Sequence, residues 1–354
     1  MIEGHGDDAY KYGKRIKADF SSNIYSHASL TDVEHHLSQK LHLIAHYPEP
    51  EPYRLSSLLA AQLHLNEEQI MVTAGATDAI YLIAQAFSGK TSAIEIPAFS
   101  EYHDACLANG HHILSLPSWT CSESRYLYRS HLEQLSEPSS APFDLYWICN
   151  PNNPTGQVIS HSLILDSIRQ WPHLCFVIDQ SYEDFTTKPL LSPTAAAEAG
   201  NVLQIHSLTK KYAIPGLRLG YVVGNAQLIA MLKAYQKPWN INTLAIEAGM
   251  YLLQHPAECH PQLTEYHRNT RRFQERLSQI EGCHVSPSDM HFFLFTFGGL
   301  SSAQLKQLLV ERYGLLVRAN LPQFDPQAVR VATQDHDEND LLVEALQQLI
   351  HHDA

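Results

Sequence analysis

The segment SLTKKYAIPGLRLGY, residues 207–221, sets Lys210 just after an apolar run, follows it with Pro215-Gly216 and places Arg218 eight residues beyond the lysine. A lysine at the end of a sheet, partly desolvated and beside a second cation, titrates lower than usual and attacks an aldehyde as a nucleophile. Two adjacent surface lysines and a loop would leave the same letters, so this segment alone leaves both readings open. In NPNNPTG, residues 150–156, two Asn-Pro turns follow the apolar run DLYWIC and put amides, Asn153 among them, at a strand's carboxyl end. Open α/β sheets bind ligands there. LCFVIDQSYEDF ends another apolar run on Asp179, with Tyr182 three residues later. A lone Asp in that place is more commonly a turn former or a helix cap. In TAGATDAI, Gly75, Ala76 and Thr77 precede a helical pattern, the arrangement in which first-turn amides take an anion.

Alternating strands and helices have to position these residues. The chain has 354 residues, enough for about two domains or one large fold with a smaller lobe. From residue 70 to 225, the runs IMVTAG, SAIEI, DLYWIC, LCFVID, VLQIHS and LGYVVG alternate with longer helix-compatible stretches. That pattern predicts an α/β unit with a largely parallel sheet. Ile80, Ile83, Ala84 and Phe87 recur at helical spacing, so a helix is expected to open just after Gly75, with Thr77 or Asp78 as its candidate cap. Beyond about residue 255 come a long polar helix candidate (TEYHRNTRRFQERLSQIEG), the apolar run FFLFTF and a strand-like LLVRAN. The closing ENDLLVEALQQLI lines one side with Leu342, Leu346, Leu349 and Ile350. The expected division is a large domain over 41–245 and a smaller α+β domain made of 1–40 and 246–354.

Composition narrows the chemistry. Hydrophobic residues make up 44% and charged ones 17%, which suits a chain that buries a core. Lys plus Arg number 24 against 37 Asp plus Glu, a net charge of −13 that argues against a nucleic-acid binder with a basic face. The 22 histidines raise a metal question, but His35/His36, His111/His112 and His351/His352 are chain neighbours, and neither H-E-x-x-H nor Cys-x-x-Cys occurs. No metal is expected, and most of the histidines read as solvated surface residues. Six scattered cysteines do not make a disulfide framework and fit a reducing cytoplasm. The start MIEGHGDDAYKYGKR has no apolar signal core, and no run of about eighteen apolar residues occurs, so neither secretion nor membrane insertion is expected. No Gly-x-Gly-x-x-Gly follows a strand, which argues against a nicotinamide dehydrogenase.

A glycine-led helix start for a phosphate, a carboxylate for a pyridinium nitrogen and a lysine for an imine are the separate parts that a pyridoxal 5′-phosphate site requires. The segments HGDDAYKYG, FSSNI, YPEPEPYRL, TAGATDAI, PAFSEY, NPNNPTG, IDQSYEDF, SLTKKYAIPGLRLGY, LLVRAN and VRVATQDHDENDLL together resemble the class I/II aminotransferase family over nearly the whole length. The resemblance is to the branch holding threonine-phosphate decarboxylases and histidinol-phosphate aminotransferases. It implies a fold type I pyridoxal-phosphate-dependent transferase: a large domain with a mostly parallel central sheet flanked by helices, plus a smaller α+β domain. By resemblance, Lys210 carries the cofactor as an imine and Asp179 holds the pyridine nitrogen protonated. Asn153 and Tyr182 bond the ring's phenolic oxygen, and Tyr102 stacks on the ring. The phosphate takes the amides at Gly75, Ala76 and Thr77, the hydroxyls of Ser207 and Thr209, and Arg218. Tyr47 from a neighbouring subunit reaches the same phosphate, which implies a homodimer with shared active sites.

On the substrate side, the resemblance assigns Arg330, in AVRVAT, to the carboxylate, Arg318 to a substrate phosphate, and His5 and Asn23 to positions near the substrate. The implied activity is on a small phosphorylated amino acid or amine. The phrases YAIPGLRLGYVV, KPWNINTLA, HGD and FSSNI lean toward a threonine-phosphate decarboxylase of cobalamin biosynthesis. The alternative is a histidinol-phosphate aminotransferase or related transaminase of histidine or amino-acid biosynthesis. Three departures bear on this. Gln180 replaces the usual Glu, which reads as a change outside the contact layer. Lys211 stands where an aromatic or small residue is common, and FSSNIYSHA lacks an Asn-Pro; both are expected nearer the substrate and cofactor. The pattern uses almost the whole chain, leaving no helix-turn-helix extension, and the retained Lys210 argues against a non-catalytic scaffold.

Overall fold

The computed structural model describes residues 8–122, 125–134, 141–256, 262–321 and 324–352. The short β1 (Ala18–Asp19) is followed by β2 (Ile70–Thr73), β3 (Thr91–Ile96) and β4 (His112–Pro117), and by a small antiparallel ribbon of β5 (Trp119–Ser122) and β6 (Arg125–Tyr128). With β7 (Leu145–Cys149), β8 (Cys175–Asp179), β9 (Val202–Ser207) and β10 (Gly220–Gly224) they build a seven-stranded sheet in the order β2-β10-β9-β8-β7-β3-β4. Only β10 runs against its neighbours, β2 and β9, and the other pairs are parallel. Two antiparallel steps restore direction, so the carboxyl ends of β2, β9, β8 and β7 open on one edge. The expected, largely parallel α/β sheet is therefore present.

Strands β2 and β7 to β10 are buried at every residue, as a sheet covered on both faces requires. Their side chains alternate between two cores. Tyr146, Ile148, Phe176 and Ile178 join one cluster, and Leu145, Trp147, Cys149 and Val177 the other. The helix Ala76–Ala86 starts where the apolar spacing placed it and buries Ala79, Ile80 and Ile83 against the second cluster. Phe87 lies just beyond its end.

The smaller lobe is a three-stranded antiparallel sheet with β12 (Phe292–Phe297) between β11 (Cys283–Val285) and β14 (Val329–Ala332), while β13 (Leu315–Leu316) pairs in parallel with β1. Phe293 and Phe295 pack with Phe273 and Leu277 of the helix Leu263–Ser278 and with Leu342, Leu346 and Leu349 of the helix His336–His352. Ala18 and Phe20 join this core, which ties the N-terminal segment to the lobe. At one seam the packing departs from the division drawn at 41 and 246. The helices Thr31–Lys40 and Thr243–Gln254 lie against each other, and their Val33, Ile246 and Leu252 bury into the large sheet's core beside Leu55 and Leu59. No helix among the described residues is long and apolar enough to cross a membrane.

Candidate active site

At the carboxyl edge of the sheet, the β2 turn reaches Gly75, whose φ of +88° belongs to the left-handed region that glycine adopts at little cost. A Cβ at Gly75 would lie 2.7 Å from Arg218 Nη2, so the missing side chain is what lets the guanidinium come down on the turn. Arg218 itself has a φ of +58° and donates Nη1 to the Pro215 carbonyl at 3.0 Å. Gly220 is equally tight: a Cβ there would meet the Ala76 nitrogen at 3.0 Å. The helix N-cap is Gly75, with no side-chain cap; the candidate caps Thr77 and Asp78 are instead inside the first turn. Asp78 reaches back to accept from the Ala74 amide at 2.9 Å, and Ala76 and Thr77, at the helix start, line a cavity of about 80 Å³. Ser207 and Thr209, whose hydroxyls are 2.9 Å apart, line it with Arg218. This is an anion cradle of helix-start amides, two hydroxyls and a guanidinium.

On the same cavity, Asp179 closes β8 and is buried. Its Oδ1 accepts from the Ser181 amide at 2.8 Å and its Oδ2 from the Tyr102 hydroxyl at 2.7 Å, which fixes the carboxylate's orientation. Burial, together with the adjacent Asp179 charge, pushes the Tyr102 phenol well up, so Tyr102 is a donor at neutral pH. The Tyr102 ring lies along Trp147, with centroids 5.6 Å apart and 27° between planes, and Phe99 stands edge-on to Tyr102 at 5.9 Å. Phe99 lines this cavity and the next, so PAFSEY supplies two aromatics where one was expected. Lys210 is on the one-turn helix Leu208–Lys211 that follows β9, three residues beyond the strand's end, and lines both cavities with Asn153 and Tyr182.

The adjoining cavity, about 210 Å³, carries the smaller lobe's arginines. Arg318 and Arg330 are backbone partners across an isolated bridge, their amides donating to each other's carbonyls at 3.0 and 2.9 Å. Both are buried, at 8% and 6% exposure, so two like charges face one space. Burial and then the Arg330 charge lower Arg318 to about 10, and burial lowers Arg330 as well. Arg330 donates Nη1 to Asn153 Oδ1 at 2.6 Å and Nη2 to the Ser21 carbonyl at 2.7 Å, while its buried Nε has no partner. The first bond orients the Asn153 amide: its oxygen is taken by arginine, so Nδ2 is the group it offers. Asn23 donates Nδ2 to the Tyr182 hydroxyl at 3.4 Å, and its buried Oδ1 has no partner. Burial pushes the Tyr182 phenol up to about 12.

Lys210, Asp179, Asn153, Tyr182, Tyr102, Ala76, Thr77, Ser207, Thr209 and Arg218 thus meet in one cavity, and Asn23, Arg318 and Arg330 in the next. Gly75 borders the first through Arg218. His5 falls outside the described residues. Tyr47 lines neither cavity; it is 86% exposed and packs on Trp239 at 5.5 Å. Lys211 is drawn away by an ion pair with Asp184 at 2.7 Å and lines neither cavity, contrary to its expected closeness to the ligands. Gln180 points its amide at the Leu191 carbonyl, outside both cavities. Ser181 was not expected in the site; its buried Oγ has no partner and it lines the first cavity, a donor hidden within the IDQSYEDF motif.

The cradle that a Cβ at Gly75 would fill, the fixed carboxylate 2.7 Å from Tyr102 and the lysine on the same cavity fit the phosphate, ring nitrogen and aldehyde of pyridoxal phosphate. The comparisons agree. A family profile described as aminotransferase class I and II matches residues 15–346. A threonine-phosphate decarboxylase of Salmonella typhimurium is 28% identical, covering 94% of this chain and 91% of its own length. A histidinol-phosphate aminotransferase of a Geobacillus species is 25% identical over 96% and 92% of the two chains. The crystal structure of L-threonine-O-3-phosphate decarboxylase from Porphyromonas gingivalis superposes with a TM-score of 0.87 at 35% identity, covering 94% of this chain and 99% of that one.

Proposed function

Because this chain belongs to the class I and II aminotransferase family and is a pyridoxal-5′-phosphate-dependent enzyme, we propose that it acts on a small phosphorylated amino acid, most closely as a threonine-phosphate decarboxylase. The observation that carries the reading is the pair Arg318 and Arg330, both buried on one cavity beside Lys210. Two guanidiniums forced together in a poorly solvated space destabilise the empty protein, and a ligand with two anionic groups relieves that repulsion. A carboxylate on Arg330 and a phosphate on Arg318 meet this demand. The decarboxylase relatives from Salmonella typhimurium and Porphyromonas gingivalis support the finer choice.

When bound, the cofactor supplies an aldehyde for an amine and a ring that withdraws electrons from the bonds at Cα. The chain does the rest. With the cofactor in place, Asp179 would hold a proton at the ring nitrogen, Asn153 Nδ2 and the Tyr182 hydroxyl would serve as donors to the phenolic oxygen, and Lys210 Nζ would move the proton at Cα. Either the carboxylate or the proton at Cα could be lost, and the way Arg330 would hold the carboxylate is what would decide between them.

The test is a pair of incubations of the loaded protein. With O-phosphothreonine alone, carbon dioxide and aminopropanol phosphate are expected. With histidinol phosphate and 2-oxoglutarate, glutamate is expected only at background. The reverse result would make the protein a transaminase, the alternative that the Geobacillus relative supports.

A homodimer in the cytoplasm belongs to the same proposal. Tyr47 and Trp239 pack on each other and are 86% and 48% exposed, with Leu41, Ile44 and Tyr53 also about half or more exposed nearby in the chain, apolar surface that a second copy would cover. The segment bearing Trp239 also reaches the cradle, since Asn240 Nδ2 donates to Asp78 Oδ2 at 3.3 Å. Tyr47→Phe is expected to leave the sedimenting dimer intact and weaken cofactor affinity about tenfold, the worth of one hydrogen bond to a charged group. A loaded protein that sediments as a monomer would refute the shared site.

A further inference from the structure

His291 belongs to none of the groups above, yet it is fully buried, at 0% exposure, where most histidines of this chain are at least partly exposed. It immediately precedes β12 and sits in an aromatic box, with ring centroids of Phe185 at 4.0 Å, Phe292 at 5.2 Å, Tyr266 at 5.4 Å and Tyr182 at 6.3 Å. Its Nε2 is 3.2 Å from the Asn23 carbonyl oxygen. A carbonyl only accepts, so the proton is on Nε2, and the buried, unpartnered Nδ1 is then a bare lone pair. Burial lowers the imidazole to about 3, which favours the neutral ring, and its one N–H is directed to the Asn23 carbonyl.

The carbonyl that takes this bond belongs to a segment lining the larger cavity. Ser21, Ser22, Asn23 and Ile24 line that cavity. The segment is tied to the smaller lobe at Phe20, whose amide donates to the Leu316 carbonyl at 2.8 Å, and to the large domain at Tyr25, whose amide donates to the Lys210 carbonyl at 2.9 Å. Between these ties, Asn23 presents its amide nitrogen to Tyr182 and an unpartnered oxygen inside the protein. Without the imidazole N–H, a carbonyl on a residue only 3% exposed would lose its partner, and an unpaired buried carbonyl drives the backbone to turn.

We propose that His291 is a positioning residue: its Nε2–H fixes the Asn23 carbonyl and so holds Asn23 against Tyr182 and the segment 20–25 along the substrate cavity. The proposal rests on the reading of that cavity as the substrate site. His291→Phe keeps an aromatic ring in the box and removes the donor, and His291→Gln restores a donor without the ring. In protein free of cofactor and substrate, His291→Phe is expected to speed amide exchange of residues 20–25 about tenfold with the rest of the chain unchanged, and His291→Gln to bring it back to within threefold. In the loaded enzyme, His291→Phe is expected to raise KM about tenfold and leave the cofactor's Kd within twofold. Unchanged exchange at 20–25, or an equal rise over the whole chain, would overturn the proposal. Should His291→Phe not fold, the imidazole ¹⁵N shifts of the wild-type protein decide: a neutral Nε2–H ring supports it, and an Nδ1–H ring or an imidazolium defeats it. Exchange and tautomer are read without ligands, so an error in the assigned reaction would leave them standing and would show only in KM.

Discussion

Replacing Lys210 with alanine is expected to abolish turnover, by about 10⁴-fold or more, and to abolish covalent capture of the cofactor by borohydride. The size follows from what the amine does. It is the chain's nucleophile toward the aldehyde and the group that carries the proton at Cα, and a positioned acid–base is worth up to about 10⁴ by itself. The fold should survive the change. Lys210 is on a one-turn helix whose buried members are Leu208 and Thr209, and the backbone bond from the Tyr25 amide to the residue-210 carbonyl needs no side chain. The anion cradle does not involve residue 210, so the variant should still bind the cofactor, now through the Ala76 and Thr77 amides, Ser207, Thr209 and Arg218. Intact mass after borohydride treatment separates the cases: an added mass on wild type and none on the variant. A variant that still traps the cofactor would move the role to another amine. Lys211, held by Asp184, is badly placed to take it.

The parts of the site that could be read in the sequence are those fixed by local patterns. β7, β8 and β9 are adjacent, and each ends on a residue or turn that the letters single out: Asn153 after β7, Asp179 on β8, Lys210 after β9. A parallel sheet brings such ends together whatever the intervening helices do, so strand periodicity plus a strand-end residue could place these side chains near one another, while their roles came only from the family resemblance. The glycine-led helix start was legible for the same reason, although its cap was not: Asp78 bonds the Ala74 amide from inside the first turn.

What could not be read depends on contacts between distant segments. The Arg330 to Asn153 bond spans 177 positions, and the burial of His291 comes from four aromatics drawn from three parts of the chain. A histidine among 22 carries no local sign that it will be the neutral one in an aromatic box. The acidic composition misleads in a similar way. A net charge of −13 describes the surface, whereas the cavities gather Lys210, Arg218, Arg318 and Arg330 where a phosphorylated cofactor and an anionic substrate would go. Net charge argues against a long polyanion and says nothing against a small one.

Asp179→Asn is the sharper test of the electronics, because it changes one charge and almost no shape. The asparagine oxygen can still accept from the Ser181 amide, but its amide nitrogen cannot accept the Tyr102 hydroxyl that now reaches Oδ2. In the empty protein the Tyr102 hydroxyl, only 1% exposed, loses its acceptor, so a small fall in melting temperature is expected, with the fold retained. The loss falls on the bound cofactor, whose ring nitrogen would no longer face a negative charge. At about 3 Å and an effective dielectric of about 20, that pairing is worth about 5 kcal/mol before desolvation is subtracted. A net loss of about 3–5 kcal/mol lowers turnover by two to four powers of ten while the cofactor's phosphate contacts stay intact. Tyr102→Phe is the companion variant: it removes the same hydrogen bond and keeps the charge, so it should slow turnover by less than about tenfold. If Asp179→Asn and Tyr102→Phe are equally impaired, orientation of the carboxylate is what matters. If Asp179→Asn turns over at near wild-type rate, some other group keeps the ring protonated and the assignment of Asp179 fails.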